Sequence, residues 1–119
     1  MKTRHALVIQ EDKIILRILE RLTNSRSYSC KAITSLNDLD IEDQNINFDV
    51  IISDILFDGI APLEFVSQVQ EVILHKNLII VSNMGQEKIK KDTMALKGIA
   101  GFFEIPFDLD KVEQLIAGY

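Results

Sequence analysis

Apolar residues in this chain follow two alternating patterns. The first is the short unbroken run: Ala6-Leu7-Val8-Ile9, Val50-Ile51-Ile52 and Leu78-Ile79-Ile80-Val81. Runs of this length, rich in β-branched residues and bounded by polar ones, predict strands buried on both faces. The second is helical spacing. Ile14, Ile15, Ile18, Leu19 and Leu22 recur every three or four residues, with Asp12 placed to cap the helix they predict and Thr23-Asn24-Ser25 to end it. Leu63, Val66, Val69 and Ile73 repeat the spacing, with Phe65 and Val72 beside them and Pro62 in the first turn. Ile89, Met94 and Leu96 form the inward set of a helix led in by Gly85 and Gln86, with Gly98 as its stop. A last amphipathic stretch runs from Leu109 to Ile116.

Weaker signals complete the series. Tyr28 to Ile33 has the mixed polarity of an edge strand, and Gly101-Phe102-Phe103 reads as a short fifth strand before Ile105-Pro106 breaks the chain. Between residues 35 and 47 the pattern is poor and acidic, with Leu36, Leu39 and Ile41 lining at most a short helix. Five strands alternating with five helices imply a doubly wound parallel sheet with helices on both faces. In such sheets ligands bind outside the carboxyl ends of the strands, where strand order reverses.

Composition narrows the function classes. The chain has 119 residues, one domain's worth, and 47% of them are hydrophobic, enough for a real core. Its formal charge of -5 argues against nucleic-acid binding through phosphates. A single cysteine, Cys30, excludes an internal disulfide and fits a reducing cytoplasm; on an edge strand it reads as a small packed hydrophobe. The run Ala6 to Ile9 is too short for a secretory leader or a membrane span. His5 and His75 lie near element ends without ligand-like neighbours and read as surface residues, and Lys88, Lys90, Lys91 and Lys97 read as a solvated helix face.

The predicted strand ends supply the candidate chemistry. Gln10, Glu11 and Asp12 follow strand 1, Asp54 follows strand 3, Ser82 and Asn83 follow strand 4, and Glu104, Ile105 and Pro106 follow strand 5. If strands 1, 3 and 4 are neighbours, Glu11, Asp54 and Ser82 converge. Facing carboxylates repel, and a hard divalent cation such as Mg2+ relieves that repulsion. A carboxylate beside such an ion can attack phosphorus, and a nearby serine hydroxyl can bond a phosphoryl oxygen.

The segments ALVIQED, FDVIISDILFDG, LIIVSN and GFFEIPF, in this order and spacing, resemble the receiver domain of bacterial two-component response regulators over nearly the whole chain. The resemblance implies one receiver domain over residues 1–119, with the flavodoxin-like strand order 2-1-3-4-5. It implies that Asp54 accepts a phosphoryl group from a sensor histidine kinase or phosphotransfer protein. It implies that Glu11, Asp54 and the backbone carbonyl of Leu56 hold Mg2+, and that Ser82 contacts the phosphoryl group. Phe102 falls at the family's switch aromatic, although as a phenylalanine it reads as core packing. The output would be a changed affinity for a partner protein through the face of helix 4, strand 5 and helix 5, with a homodimer through the last two helices. Enzymatic activity would extend only to self-phosphorylation and slow autodephosphorylation, by a chain that either stands alone or is part of a longer protein.

Two positions depart from the family pattern. Gln10 replaces its first acidic residue, which weakens the pull on Mg2+. Ile105 replaces its lysine, and isoleucine carries neither charge nor donor. Both motivate an alternative: a phosphorylation-independent pseudo-receiver that serves as a binding or dimerisation module. A flavin binder of the same architecture would need a glycine- and hydroxyl-rich loop where Gln10-Glu11-Asp12-Lys13 stands, and a phosphohydrolase would need an aspartate where Leu56 stands.

Overall fold

In the computed structural model, which describes residues 3–55, 57, 59–82, 87–105 and 109–119, the three apolar runs lie in the three central strands of one sheet. In chain order the elements are β1 (Arg4–Ile9), α1 (Lys13–Ser25), β2 (Tyr28–Ile33), α2 (Ile41–Gln44), β3 (Phe48–Ser53), α3 (Pro62–Val72), β4 (His75–Ser82), α4 (Glu87–Met94), β5 (Ile99–Glu104) and α5 (Leu109–Ala117). A 3-10 turn, Leu36–Asp38, precedes α2. The sheet is all parallel with order β2-β1-β3-β4-β5, the doubly wound order expected.

Alternation along the strands divides the core. Leu7, Ile9, Ile51, Leu78, Ile80 and Phe102 point to one face and are covered by Phe65, Val66 and Val69 of α3, with Leu39, Ile89 and Leu96 packed around them. Ala6, Val8, Val50, Ile52, Ile79 and Val81 point to the other, beneath Leu19 of α1 and Val112 and Ile116 of α5. Each fully buried aliphatic or aromatic side chain contributes roughly 1.5–3 kcal/mol. α2, α3 and α4 therefore share one face, and α1 and α5 the other.

Several boundaries and faces differ from expectation. β4 starts three residues before its apolar run, because His75 and Asn77 extend the ladder opposite Phe48 and Val50. β5 likewise gains Ile99 and Ala100 ahead of Gly101. In α1, Ile15, Leu16, Leu19 and Leu22 pack on the core, while Ile14 and Ile18 face water. Leu63 and Val72 of α3 and Met94 of α4, expected inward, are also exposed. An apolar stripe at helical spacing was read too widely in each helix: only about one side touches the sheet. His5 and His75 are half-buried rather than on the surface, and His75 Nδ1 lies 2.7 Å from the Ile73 carbonyl.

Asp12 caps α1 as its position predicts, accepting from the N–H groups of Ile14 (2.8 Å) and Ile15 (3.3 Å). Gly98 ends the turn after α4 at φ +86°, a left-handed conformation that a side chain would strain. Gln70 of α3 donates to the adjacent Lys97 carbonyl at 2.7 Å and ties that turn down. Gly85, Gln86 and Pro106 lie outside the described residues.

Candidate functional site

The carboxyl ends of β1, β3 and β4 form one rim. Register places Ile9 opposite Ser53 and Ser53 opposite Ile80, so the residues that follow emerge side by side. The Asp54 N–H donates to the Ile9 carbonyl at 3.0 Å, extending the ladder one step past β3. Asp54 is therefore fixed by its backbone while its side chain leaves the sheet. Its Oδ1 accepts from the Ile55 N–H at 2.7 Å, and the side chain is partly exposed.

The loop beyond Asp54 is anchored at both ends. Ile55 is buried, and Phe57 lies on the Phe65 ring of α3 with centroids 4.4 Å apart. Phe57 and Ile60 form an isolated antiparallel bridge, closed by Gly59 at φ +80°. This short turn gives the glycine its reason. Leu56, the expected source of a metal-binding carbonyl, lies outside the described residues, as do Asp58 and Asn83.

Glu11 sits on the same rim with an exposed side chain, immediately before the Asp12 cap. Among the described residues no three His, Cys, Asp or Glu side chains come together as a ligand set. Among the described residues that directly follow β1 and β3, the acidic side chains not used as a helix cap are Glu11 and Asp54. Magnesium is commonly held by one or two carboxylates, with water and phosphate oxygens filling its octahedron, so this donor set fits it with little charge to spare.

Ser82 ends β4 fully buried, and its hydroxyl has no hydrogen-bond partner among the described residues. Buried hydroxyls are normally paired, and Ser82 shares this unpaired state with Thr93 of α4 among the described residues. The serine lies on the α4 side of the sheet, as Ile80 does two residues earlier.

The two departures from the expected pattern have structural roles of their own. Gln10 is only 1% exposed, and its Nε2 donates to the Val81 carbonyl at 3.1 Å. Since β3 lies between β1 and β4, this side chain spans the end of β3 and ties the two flanking strands together. Ile105 is buried in the apolar cluster with Val8, Ile52, Val81 and Val112, and its N–H donates to the Ser82 carbonyl at 2.9 Å. The last two carbonyls of β4 are thus held from opposite sides, one by Gln10 and one by Ile105. Sequence reading identified Gln10 as a lost charge and missed it as a brace; its position directly after a strand buried on both faces was the available signal. Phe102, at the expected switch position, is buried in the core on the α3 side.

No family model matches the chain, and no curated protein matches it by sequence. Among solved structures the similarity is extensive. A CheY-like response regulator receiver domain protein from Methanospirillum hungatei superposes with a TM-score of 0.79 at 12% identity, over 98% of this chain and 93% of that one. The chemotaxis response regulator CheY4 of Vibrio cholerae gives 0.72 at 18% identity, over 97% of both chains. A response regulator protein from Burkholderia pseudomallei, solved with a phosphorylated aspartic acid, a calcium ion and citrate, gives 0.74 at 12% identity over 92% of this chain; the chain spans 64% of that protein's length. The chain has the receiver-domain fold.

Proposed function

We propose that this chain works as a receiver in two-component signalling, with Asp54 as the phosphoryl acceptor. The observation that carries the reading is Ser82: a buried hydroxyl without a partner among the described residues at the end of β4, one strand over from the end of β3, where Asp54 stands. An Asp54 oxygen would bond phosphorus as the donor's P–N bond breaks, or the P–O bond of a small phosphodonor, with the electron pair leaving on the departing group. The Ser82 hydroxyl would then donate to a phosphoryl oxygen. Magnesium held by Glu11, Asp54 and the Leu56 carbonyl would offset the charge on those oxygens, more weakly than in the family's usual pocket because Gln10 brings no charge.

The phosphodonor is a sensor histidine kinase or phosphotransfer protein, and α1 offers it a surface. Ile14 is 73% exposed beside Ile18, on the helix that starts at Lys13, two residues after Glu11, with Lys13 and Arg17 next to them. Output is by contact with another protein in the cytoplasm, and enzymatic activity goes no further than self-phosphorylation and slow hydrolysis of the phosphoryl group. Among the described residues no helix is long and apolar enough to cross a membrane.

A second reading is favoured by Gln10 and Ile105. Both are buried and committed to the structure, so the fold stands without the acid and the lysine that the family pattern places at these two positions, as a pseudo-receiver acting by binding alone would allow. Acetyl phosphate with Mg2+, followed by intact-mass measurement, separates the two. The receiver reading expects one added phosphoryl mass on the wild type and none on Asp54→Asn. An unchanged mass for both leaves the pseudo-receiver.

A further inference from the structure

Gln10 stands where the family pattern has an acid, and its buried carboxamide does what an acid cannot. It donates: Nε2 lies 3.1 Å from the Val81 carbonyl, reaching past the end of β3 to β4. A carboxylate at this position has no proton to give and would set its lone pairs against those of the carbonyl. The residue after Val81 is Ser82. Its own carbonyl accepts from the Ile105 N–H at 2.9 Å, on the β5 side.

The two peptide units that flank Ser82 are therefore held from opposite sides. Each unit is planar, so two fixed planes fix the Cα between them and the direction of its Cβ. Rotation about χ1 remains, among three staggered wells. No hydrogen bond among the described residues holds the Ser82 hydroxyl in any of them. The serine thus carries an uncommitted hydroxyl on a fixed base, and Gln10 supplies half of that fixing.

We infer that Gln10 is a positioning residue for phosphoryl transfer. Through the Val81 carbonyl it sets where Ser82 holds its hydroxyl, and so acts on the phosphoryl group from β4 instead of on the metal from β1. The inference rests on the receiver reading, in which Ser82 donates to a phosphoryl oxygen. Ile105 brings no cation to the rim, which leaves the Ser82 hydroxyl a larger share of the contact with those oxygens. A hydrogen bond weakens steeply with distance and angle. A tilt of the Val81–Ser82 peptide therefore costs rate although every group that touches the phosphoryl oxygens is still present.

Labelling of the full chain by acetyl phosphate, followed by intact mass over time at several Mg2+ concentrations, tests it. Gln10→Met keeps the size and neutrality of the side chain and removes the donor. Its rate at saturating Mg2+ should fall roughly ten-fold, while the Mg2+ needed for half the maximal rate stays within about two-fold of the wild type. Gln10→Glu restores the charge but not the donor, so it should need less Mg2+ and still be slower at saturation. In a Ser82→Ala background Gln10→Met should change the rate by less than about two-fold, whereas beside Thr93→Val, which removes the other single buried hydroxyl, its effect should be undiminished. Deuterium exchange followed by NMR needs no phosphodonor: the Gln10 side-chain amide should exchange roughly ten-fold or more slowly than a free carboxamide. Gln10→Met at the wild-type rate overturns the inference, as does an equal loss with and without the Ser82 hydroxyl. So do a raised Mg2+ requirement at unchanged saturating rate, a Gln10→Glu variant faster than the wild type at saturation, or a freely exchanging amide. In each of these cases a labelled wild type leaves the receiver reading standing; a wild type that takes no label overturns both.

Discussion

The two ends of the sheet treat their polar groups in opposite ways. At the opening end, Asp49 of β3 accepts from the His5 N–H at 2.8 Å and from Lys76 Nζ at 3.3 Å, while Asn77 donates to its carbonyl at 3.0 Å. Three strands are pinned there by one carboxylate and one amide. At the closing end the pin between β1 and β4 is the neutral carboxamide of Gln10, and the hydroxyl of Ser82 is left single. Both ends carry cross-strand polar ties, but among the described residues only the closing end has a buried side-chain group left single. If the closing rim binds a ligand, as this architecture commonly does there, a group left single is free to meet it, whereas pairing at the other rim serves stability.

The largest effect should come from removing the neutral pin. Gln10→Ala leaves the Val81 carbonyl without its donor in a buried position and opens space beside it, which should cost about 2–3 kcal/mol. Asp49→Ala at the opposite rim removes more hydrogen bonds but from a partly exposed group that water can replace, and should cost about 1 kcal/mol. Urea unfolding midpoints of the two variants decide the order. If Asp49→Ala is the more damaging, the site rim is not held by Gln10.

The difference between the ends also marks what sequence could reveal. The order of elements and the central strands were legible because burial on both faces writes an unbroken apolar run. β2 was legible as an edge because one side of it stays wet. The position of Asp54 was legible because it directly follows an unbroken apolar run. What was not legible depends on partners far apart in sequence. Nothing near Gln10 announces a bond to Val81, seventy-one residues on. Ile14, Ile18, Leu63 and Met94 satisfy helical spacing equally well whether they pack or stand in water. Nor does the sequence show why His75 and Asn77, polar residues, belong to β4: the Asn77 amide is used by Asp49 across the sheet.

A smaller effect of opposite sign is expected where pairing is incomplete. Ser82 and Thr93 are both fully buried with single hydroxyls, one at the end of β4 and one on α4. Ser82→Ala and Thr93→Val each delete an unpaired polar atom at nearly constant shape. Each should leave stability unchanged or raise it by up to about 1 kcal/mol, read as a higher thermal midpoint. The two separate in function. If Ser82 donates to a phosphoryl oxygen, Ser82→Ala slows labelling by acetyl phosphate while Thr93→Val does not. A clear loss of stability in Ser82→Ala would mean that its hydroxyl is already paired, and the contrast between the two rims would weaken.

Cys30 sharpens the comparison from the edge of the sheet. Burial pushes its thiol above the ordinary value of 9.0, with Glu20 adding to that and a hydrogen bond with Thr23 opposing it. The folded chain therefore keeps the proton longer than the unfolded one. Stability from this group is complete below pH 9.0 and declines as the pH rises from there through the higher folded value. Near neutral pH, alkylation of the native thiol should be several-fold slower than in urea, and equal rates would show that Cys30 is not shielded.

The smallest effect is the acid response of the opening rim. Burial alone would raise the Asp49 carboxyl, but the His5 N–H, the Lys76 hydrogen bond and the charges of Lys76 and His5 outweigh it and hold the group below its ordinary value of 3.8. A lowered folded value means that the unfolded chain takes up the proton first. The stabilisation is complete above pH 3.8 and disappears as the pH falls through the folded value. Water screens the group, so the amplitude is modest. Asp49→Asn keeps an oxygen for the His5 N–H but carries no charge, so it should be less stable than the wild type at neutral pH. The gap in urea midpoint should then close as the pH drops below 3.8. A gap that persists unchanged into strong acid would show that the charge on Asp49 contributes nothing, and that the opening rim, like the closing one, is held by neutral hydrogen bonds alone.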